Sequence, residues 1–167
     1  MSGNNDKLLK ILFKNTGSTT AVLEAIAGEN VRVEIIKEDK FQDTMLSDKF
    51  NWEQQLVLRI TILKSRNSKL SYNVVVYDPS KLNIFKERFE KLDYPIGNLL
   101  ECVDYQRTIT YTGWKDTKHL SKYFNFEKLD GIKYPIKEYL HSHDGQILFY
   151  ISEIYNIDTI AKLFNTK

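Results

Sequence analysis

The sequence predicts an α+β fold, a mainly antiparallel sheet with helices laid against it. Three observations carry that expectation. Apolar runs flank "SRNS" at residues 65–68, and another pair flanks Asp144-Gly145, the strongest hairpin signal in the chain. No regular alternation of strand and helix, as in a parallel sheet, is visible. Helical periodicity is confined to short amphipathic stretches around these hairpins.

Taken in order, Leu8, Leu9, Leu12 and Phe13 recur at helical spacing and predict an opening helix over residues 6–14. Ser18 or Thr19 caps a second helix that stops at Gly28. "NVRVEIIKED" turns Val31, Val33 and Ile35 inward as a strand, and the polar, aperiodic residues 38–54 read as a long loop or lid. "QQLVLRITILK" and "KLSYNVVVYDP" form the first hairpin, ended by Pro79. "SKLNIFKERFEKL" is an amphipathic helix with Leu82, Phe85, Phe89 and Leu92 on one face, and "DYPIGNLLECV" runs from a Pro turn into a short helical turn. "DYQRTITYTGW" is a strand with Tyr105, Arg107, Ile109 and Tyr111 in one row, followed by a short helix or loop over 117–129. "IKEYLHSHDGQILFYISEIYNI" is the second hairpin, and "DTIAKLFNTK" closes the chain as a helix capped by Asp158.

Size and composition bound the function. The 167 residues read as a single domain, 1–167, with enough apolar content for a real core. No long apolar run predicts a membrane span and no signal peptide is recognisable, while the single cysteine, Cys102, fits a reducing compartment. A cytoplasmic protein is the expectation, or a plastid stromal one if organellar, and a monomer or a homodimer are both open. The net charge of +2 and the scattered lysines argue against nucleic acid as a partner.

Several chemistries have no motif here. The seven glycines form neither a phosphate-binding loop nor a dinucleotide fingerprint. His141-Ser142-His143 lacks further metal ligands nearby and reads as polar residues solvated beside a turn. Cys102 in "LLECV" has no adjacent base and reads as a small buried hydrophobe.

Three charged residues break the pattern of their strands. Arg59 in "LVLRITIL", Arg107 in "DYQRTITY" and Glu153 in "FYISEIY" each point with apolar or aromatic neighbours. Burying such a group is costly unless something pairs with it. One reading is an ion pair joining two strands. The other is a cavity where guanidinium groups bind a small carboxylate bidentately and Glu153 handles a hydroxyl or proton. Desolvation should weaken the acidity of Glu153 unless a cation compensates.

The ordered series "GSTTAVLEAIAGENVRVEII", "LVLRITIL", "VVVYDPSKL", "YPIGNLL" and "DGQILFYISEIY", over about residues 8–156, resembles the chorismate pyruvate-lyase family, most closely its archaeal and cyanobacterial–plastid branch. That resemblance implies a sheet of about six antiparallel strands, with helices on one side enclosing a ligand cavity. It also implies conversion of chorismate to 4-hydroxybenzoate and pyruvate without metal or organic cofactor. By it, Arg59 pairs with the ring carboxylate and Glu153 meets the ring hydroxyl, the two being the catalytic candidates, while Thr19 and Ile96 contact the ligand through their main chains. Asn73 stands where some bacterial members place an Arg, and "KEYLHSH" lacks the Arg that often precedes the family's final Gly turn. Arg107 is therefore read as the second substrate-binding cation. The rival implied by the same fold is a non-catalytic effector-sensing module; no fused DNA-binding domain is expected outside residues 8–156.

Overall fold

The computed structural model describes residues 3–85, 96, 104–116 and 133–166. Within them run α1 (Gly3–Lys14), α2 (Thr19–Ala27), β1 (Arg32–Gln42), α3 (Thr44–Phe50), β2 (Gln55–Ser65), β3 (Ser68–Tyr77), a 3-10 turn (Pro79–Phe85), β4 (Gln106–Asp116), β5 (Lys133–His143), β6 (Gln146–Tyr155) and α4 (Ile157–Asn165). The expected helix over the rest of "SKLNIFKERFEKL", the helical turn of "DYPIGNLLECV" with Cys102, and the segment 117–129 lie outside the described residues.

The six strands form one antiparallel sheet in the order β1-β2-β3-β6-β5-β4. Both hairpins use two-residue turns; only Arg66, at φ 48°, is left-handed in the first, whereas Asp144 and Gly145 both are in the second, at φ 48° and 74°. Left-handed φ at both central positions is the type I′ geometry that matches strand twist, which is why Asp-Gly is such a strong signal.

Four pairings each contain one extra residue, at Ile36, Leu70, Thr110 and Leu148; only β3–β6 runs without a shift. Each bulge re-aims the side chains beyond it, because strand side chains alternate with period two. Three rows therefore cross one face of the sheet. The first is Ile35–Thr61–Asn73–Glu153–Lys137, the second Glu38–Arg59–Val75–Ile151–Tyr139–Ile109, and the third Phe149–His141–Arg107. The bulge at Thr110 corrects the expected row on β4. Arg107 and Ile109 stay with His141 and Tyr139, whereas Tyr111 turns to the opposite face with Glu138 and Ile136.

Helices α1, α2 and α4 pack together at one end of the site-bearing face, around Leu8, Leu12, Leu23, Ile26, Ile160 and the sheet residues Leu63 and Tyr155. Leu23 is fully buried, and such a side chain contributes ~1.5–3 kcal/mol towards holding the nine-residue helix against the sheet. Ser18 caps α2 by accepting from Ala21 N at 3.2 Å, and Gly28 closes it at φ 72°. At the last helix the cap is Asn156, which accepts from Thr159 N, while Asp158 lies in the first turn. The lid expected over 38–54 is absent: those residues extend β1 and then form α3, capped by Asp43. Phe50 and Trp52 at its end bury themselves on the opposite sheet face with Leu56, Leu58, Val76 and Ile154.

Candidate functional site

A cavity of about 160 Å³ opens between the site-bearing face and the corner where α1 meets α2. An apolar cavity of ~150 Å³ suffices for one benzene ring. All five residues singled out from sequence, Thr19, Arg59, Ile96, Arg107 and Glu153, line it. Val33, Ile35, Leu63, Val75 and Ile151 make its apolar walls, and Thr61, Asn73, Tyr105, Tyr139 and His141 add polar groups.

Glu153 faces a cation that sequence reasoning missed. Lys137, directly opposite on β5, brings its Nζ to 3.1 Å from Glu153 Oε2, and the two side chains are 0% and 5% exposed. Thr19 Oγ1 donates to Oε2 at 2.9 Å, the Tyr155 hydroxyl donates to the same oxygen, and the Tyr139 hydroxyl donates to Oε1 at 2.7 Å. Burial alone would raise the Glu153 pKa, but Lys137 and these three hydroxyls outweigh it and hold the carboxyl below its ordinary range. Glu153 is therefore ionised, and Lys137 is the compensating cation on which the sequence expectation is conditional. The Tyr139 and Tyr155 phenols are pushed well above their usual range by burial and by Glu153, so both remain donors. Oε2 takes three donors and Oε1 only one among the described residues, which leaves Oε1 able to accept another.

Lys137 also donates to the carbonyls of Leu12 at 3.1 Å and Asn15 at 3.4 Å, and to Thr19 Oγ1 at 3.3 Å. It thereby satisfies carbonyls left open where α1 ends and ties the α1–α2 corner to the sheet. Burial lowers its pKa, and the Glu153 carboxylate works against that shift. Thr19, expected to act only through its main chain, uses its hydroxyl to bridge this ion pair.

The two arginines stand on β2 and β4, four strand spacings apart, or ~19 Å across a flat sheet. Arg59 is buried, with Nε 2.5 Å from Oε2 of Glu38, whose side chain is 32% exposed. The bulge at Ile36 brings Glu38 into register with Arg59. Burial pushes the Tyr77 phenol up, against the pull of the adjacent Arg59, and keeps it neutral. At the far end, Arg107 Nε donates to His141 Nε2 at 2.9 Å, its Nη1 donates to the Gly17 carbonyl, and its guanidinium lies 4.5 Å from the Tyr139 ring centroid.

His141 is the other residue that sequence reasoning misplaced. It is buried rather than solvated, set among the rings of Tyr105, Tyr139 and Phe149. Burial, then Arg107, then Lys137 push its pKa down to about 3. Among the described residues, no cluster of three or more His, Cys, Asp or Glu side chains could hold a metal.

Comparison with known proteins locates the chain. The family model for chorismate pyruvate-lyases of the Rv2949c-like type matches residues 13–163. The chain belongs to that family. No curated protein sequence matches this family member. Among solved structures, the effector domain of PhnF from Mycobacterium smegmatis is similar at TM-score 0.60 and 11% identity, covering 84% of this chain and 89% of that one. Full-length PhnF gives 0.63 at 11% identity, with 87% of this chain and 66% of that chain covered. The ligand-binding domain of a putative GntR-family regulator from Bordetella bronchiseptica gives 0.52 at 8% identity, covering 75% and 85%. At such identities these likenesses show a shared fold. No helix among the described residues is long and apolar enough to cross a membrane.

Proposed function

We propose that the protein is a chorismate pyruvate-lyase, releasing 4-hydroxybenzoate and pyruvate by an aromatising elimination. The observation that carries this is a ring-sized cavity of mixed lining, with aliphatic walls, a guanidinium at each end and an ionised Glu153 on its floor. Chorismate has a carboxylate on the ring and another on the enolpyruvyl ether, flanking a cyclohexadiene. Arg59 takes the ring carboxylate, exchanging it for Glu38, which is exposed enough to turn to water. Arg107 takes the side-chain carboxylate. Oε1 of Glu153 accepts from the ring hydroxyl, while Thr19 and Ile96 bound the slot from the α2 end and from residue 96.

In the reaction the ring C–O bond to the ether oxygen breaks and its electron pair leaves with the enolpyruvate. The ring carbon bearing the hydroxyl loses its proton, a C=C bond forms, and the ring becomes aromatic. Enolpyruvate then takes a proton on its methylene carbon and becomes pyruvate. No redox change occurs, and aromaticity supplies the driving force. The protein's task is to hold the side chain in its reactive conformation and to stabilise negative charge on the leaving group, which Arg107 does from a fixed position. The lowered pKa of Glu153 makes it a hydroxyl acceptor rather than a proton donor. Incubating the purified protein with chorismate should yield 4-hydroxybenzoate and pyruvate in equal amounts.

One observation favours a second reading, a small-carboxylate sensor without chemistry. Glu153 already accepts from Lys137 and three hydroxyls, so its carboxylate supports structure as much as ligand. Tight binding of 4-hydroxybenzoate with no turnover of chorismate would select this alternative.

A further inference from the structure

Arg107 is constrained on three sides. Its Nε donates to His141 Nε2 at 2.9 Å, Nη1 donates to Gly17 O, and the planar group lies over Tyr139 at 4.5 Å. Two of the five guanidinium donors are thus committed among the described residues, and the other three remain for a ligand. Arg107 can only donate, so His141 Nε2 must be the accepting nitrogen and the ring proton sits on Nδ1. That nitrogen has no hydrogen-bond partner among the described residues, and His141 is 1% exposed. A buried histidine with an orphan donor is costly, so its position needs a reason. Orienting Arg107 supplies one.

We propose that His141 is a positioning residue which aims the free edge of Arg107 into the cavity, making the site selective for ligands with two carboxylates rather than one. This rests on the reading of Arg59 and Arg107 as carboxylate receptors at opposite ends, and not on catalysis. The imidazole stays neutral across the physiological range, so it remains an acceptor for Nε and adds no competing charge. An arginine left to rotate would still attract an anion, but would lose the fixed two-pronged geometry that a carboxylate matches.

The test is calorimetric titration of the whole chain with two unreactive probes. One is 3-(carboxymethoxy)benzoate, whose ring carboxylate and meta ether-linked carboxylate copy the spacing of chorismate. The other is benzoate. The unaltered protein should prefer the dicarboxylate by ~10- to 100-fold, the value of one charge-assisted bidentate contact. His141→Phe, which fits among the neighbouring rings but cannot accept, should reduce that preference to within ~3-fold, with the loss falling mainly on the dicarboxylate. His141→Gln, whose amide oxygen can accept from Nε, should retain most of it; His141→Leu repeats the removal if the phenyl variant does not fold. Undiminished preference in His141→Phe or His141→Leu would overturn the proposal, as would equal loss of both probes. So would an unaltered protein with no preference. Failure to turn over chorismate would sink the lyase reading alone, because neither probe reacts.

Discussion

Two ion pairs each put one member, Glu153 and Arg59, on the wall of the same cavity, and they differ in what they can release. Lys137–Glu153 is 0% and 5% exposed and shares its charges with Thr19, Tyr139, Tyr155 and two carbonyls. Arg59–Glu38 couples an interior guanidinium to a side chain 32% exposed on the edge strand β1. Breaking the first strands a charge in low dielectric whichever member leaves, whereas Glu38 can turn to water provided that another anion takes its place on the buried Arg59. Position in the sheet decides this. Glu153 is flanked by strands on both sides, and Glu38 by one. The interior pair is thus bound into the architecture on every side, while the pair with one wet member is the one that the proposed function asks to exchange a partner.

The comparison breaks first if Lys137 proves dispensable. Lys137→Met should cost ~3–5 kcal/mol, seen as a melting temperature lower by roughly 10 °C, since it strands Glu153 without a cation. Glu153→Gln should lose ~3 kcal/mol for the mirror-image reason, and turnover of chorismate should fall by about tenfold as a charge-assisted hydroxyl acceptor becomes a neutral one. The double variant Lys137→Met/Glu153→Gln should be more stable than the sum of the two losses, giving a positive coupling in a thermal double-mutant cycle. Additive losses would mean that the pair is no pair in solution.

Acid attacks the interior next. His141 has its pKa pushed down to about 3, below the ~6.5 of an unfolded histidine, so the unfolded chain binds more protons between those values. Stability therefore rises with pH through that window, and acidifying from pH 6.5 to 4.5 should cost ~2–3 kcal/mol. Glu153, held low, adds its own loss only as pH falls through the ordinary carboxylate range and below. Chemical denaturation of His141→Gln across the same interval should show the slope largely removed.

At the wet pair, effects move from stability to affinity. Arg59→Lys should weaken 4-hydroxybenzoate binding by ~1.5–3 kcal/mol, because lysine keeps the charge but loses the fork. Wild-type affinity in titration of that variant would remove Arg59 from the site. Smallest of all, Glu38→Gln should tighten carboxylate binding by up to about fivefold, since it removes a competitor worth at most ~1 kcal/mol. Weaker binding instead would make Glu38 a support for Arg59.

Much of this was legible in the sequence because local chemistry dictates it. Ser18 and Gly28 bound α2 as their cap preferences require, Asp144-Gly145 makes its turn, and Arg59, Arg107 and Glu153 were conspicuous among aliphatic neighbours. Lys137 was not conspicuous, being one lysine in a lysine-rich chain and flanked by Ile136 and Glu138, which point the other way. Its pairing was also hidden by register. A plain two-residue hairpin at Asp144-Gly145 would set Lys137 opposite Ser152, and the extra residue Leu148 sets it opposite Glu153. His141 was obscured in the same way, because nearness to a turn suggested solvent while the face it occupies is interior. The α3 segment was unreadable for a different reason. It buries Ser47 and Phe50, with Leu46 and the following Trp52 packed beside them, too few apolar positions in seven residues to stand out as a periodic stripe.

The bulges give chain length a role of its own. Arg59 meets Glu38 only because Ile36 is an extra residue, and Glu153 meets Lys137 only because Leu148 is one. Every side chain of the site could be retained and the site still be dismantled by deleting either of these aliphatic residues, neither of which carries any chemistry. Exchanging either residue for another aliphatic would leave every pairing in place, whereas removing it would turn half a strand over. The count of residues between the turns therefore carries information about the site that their identities do not.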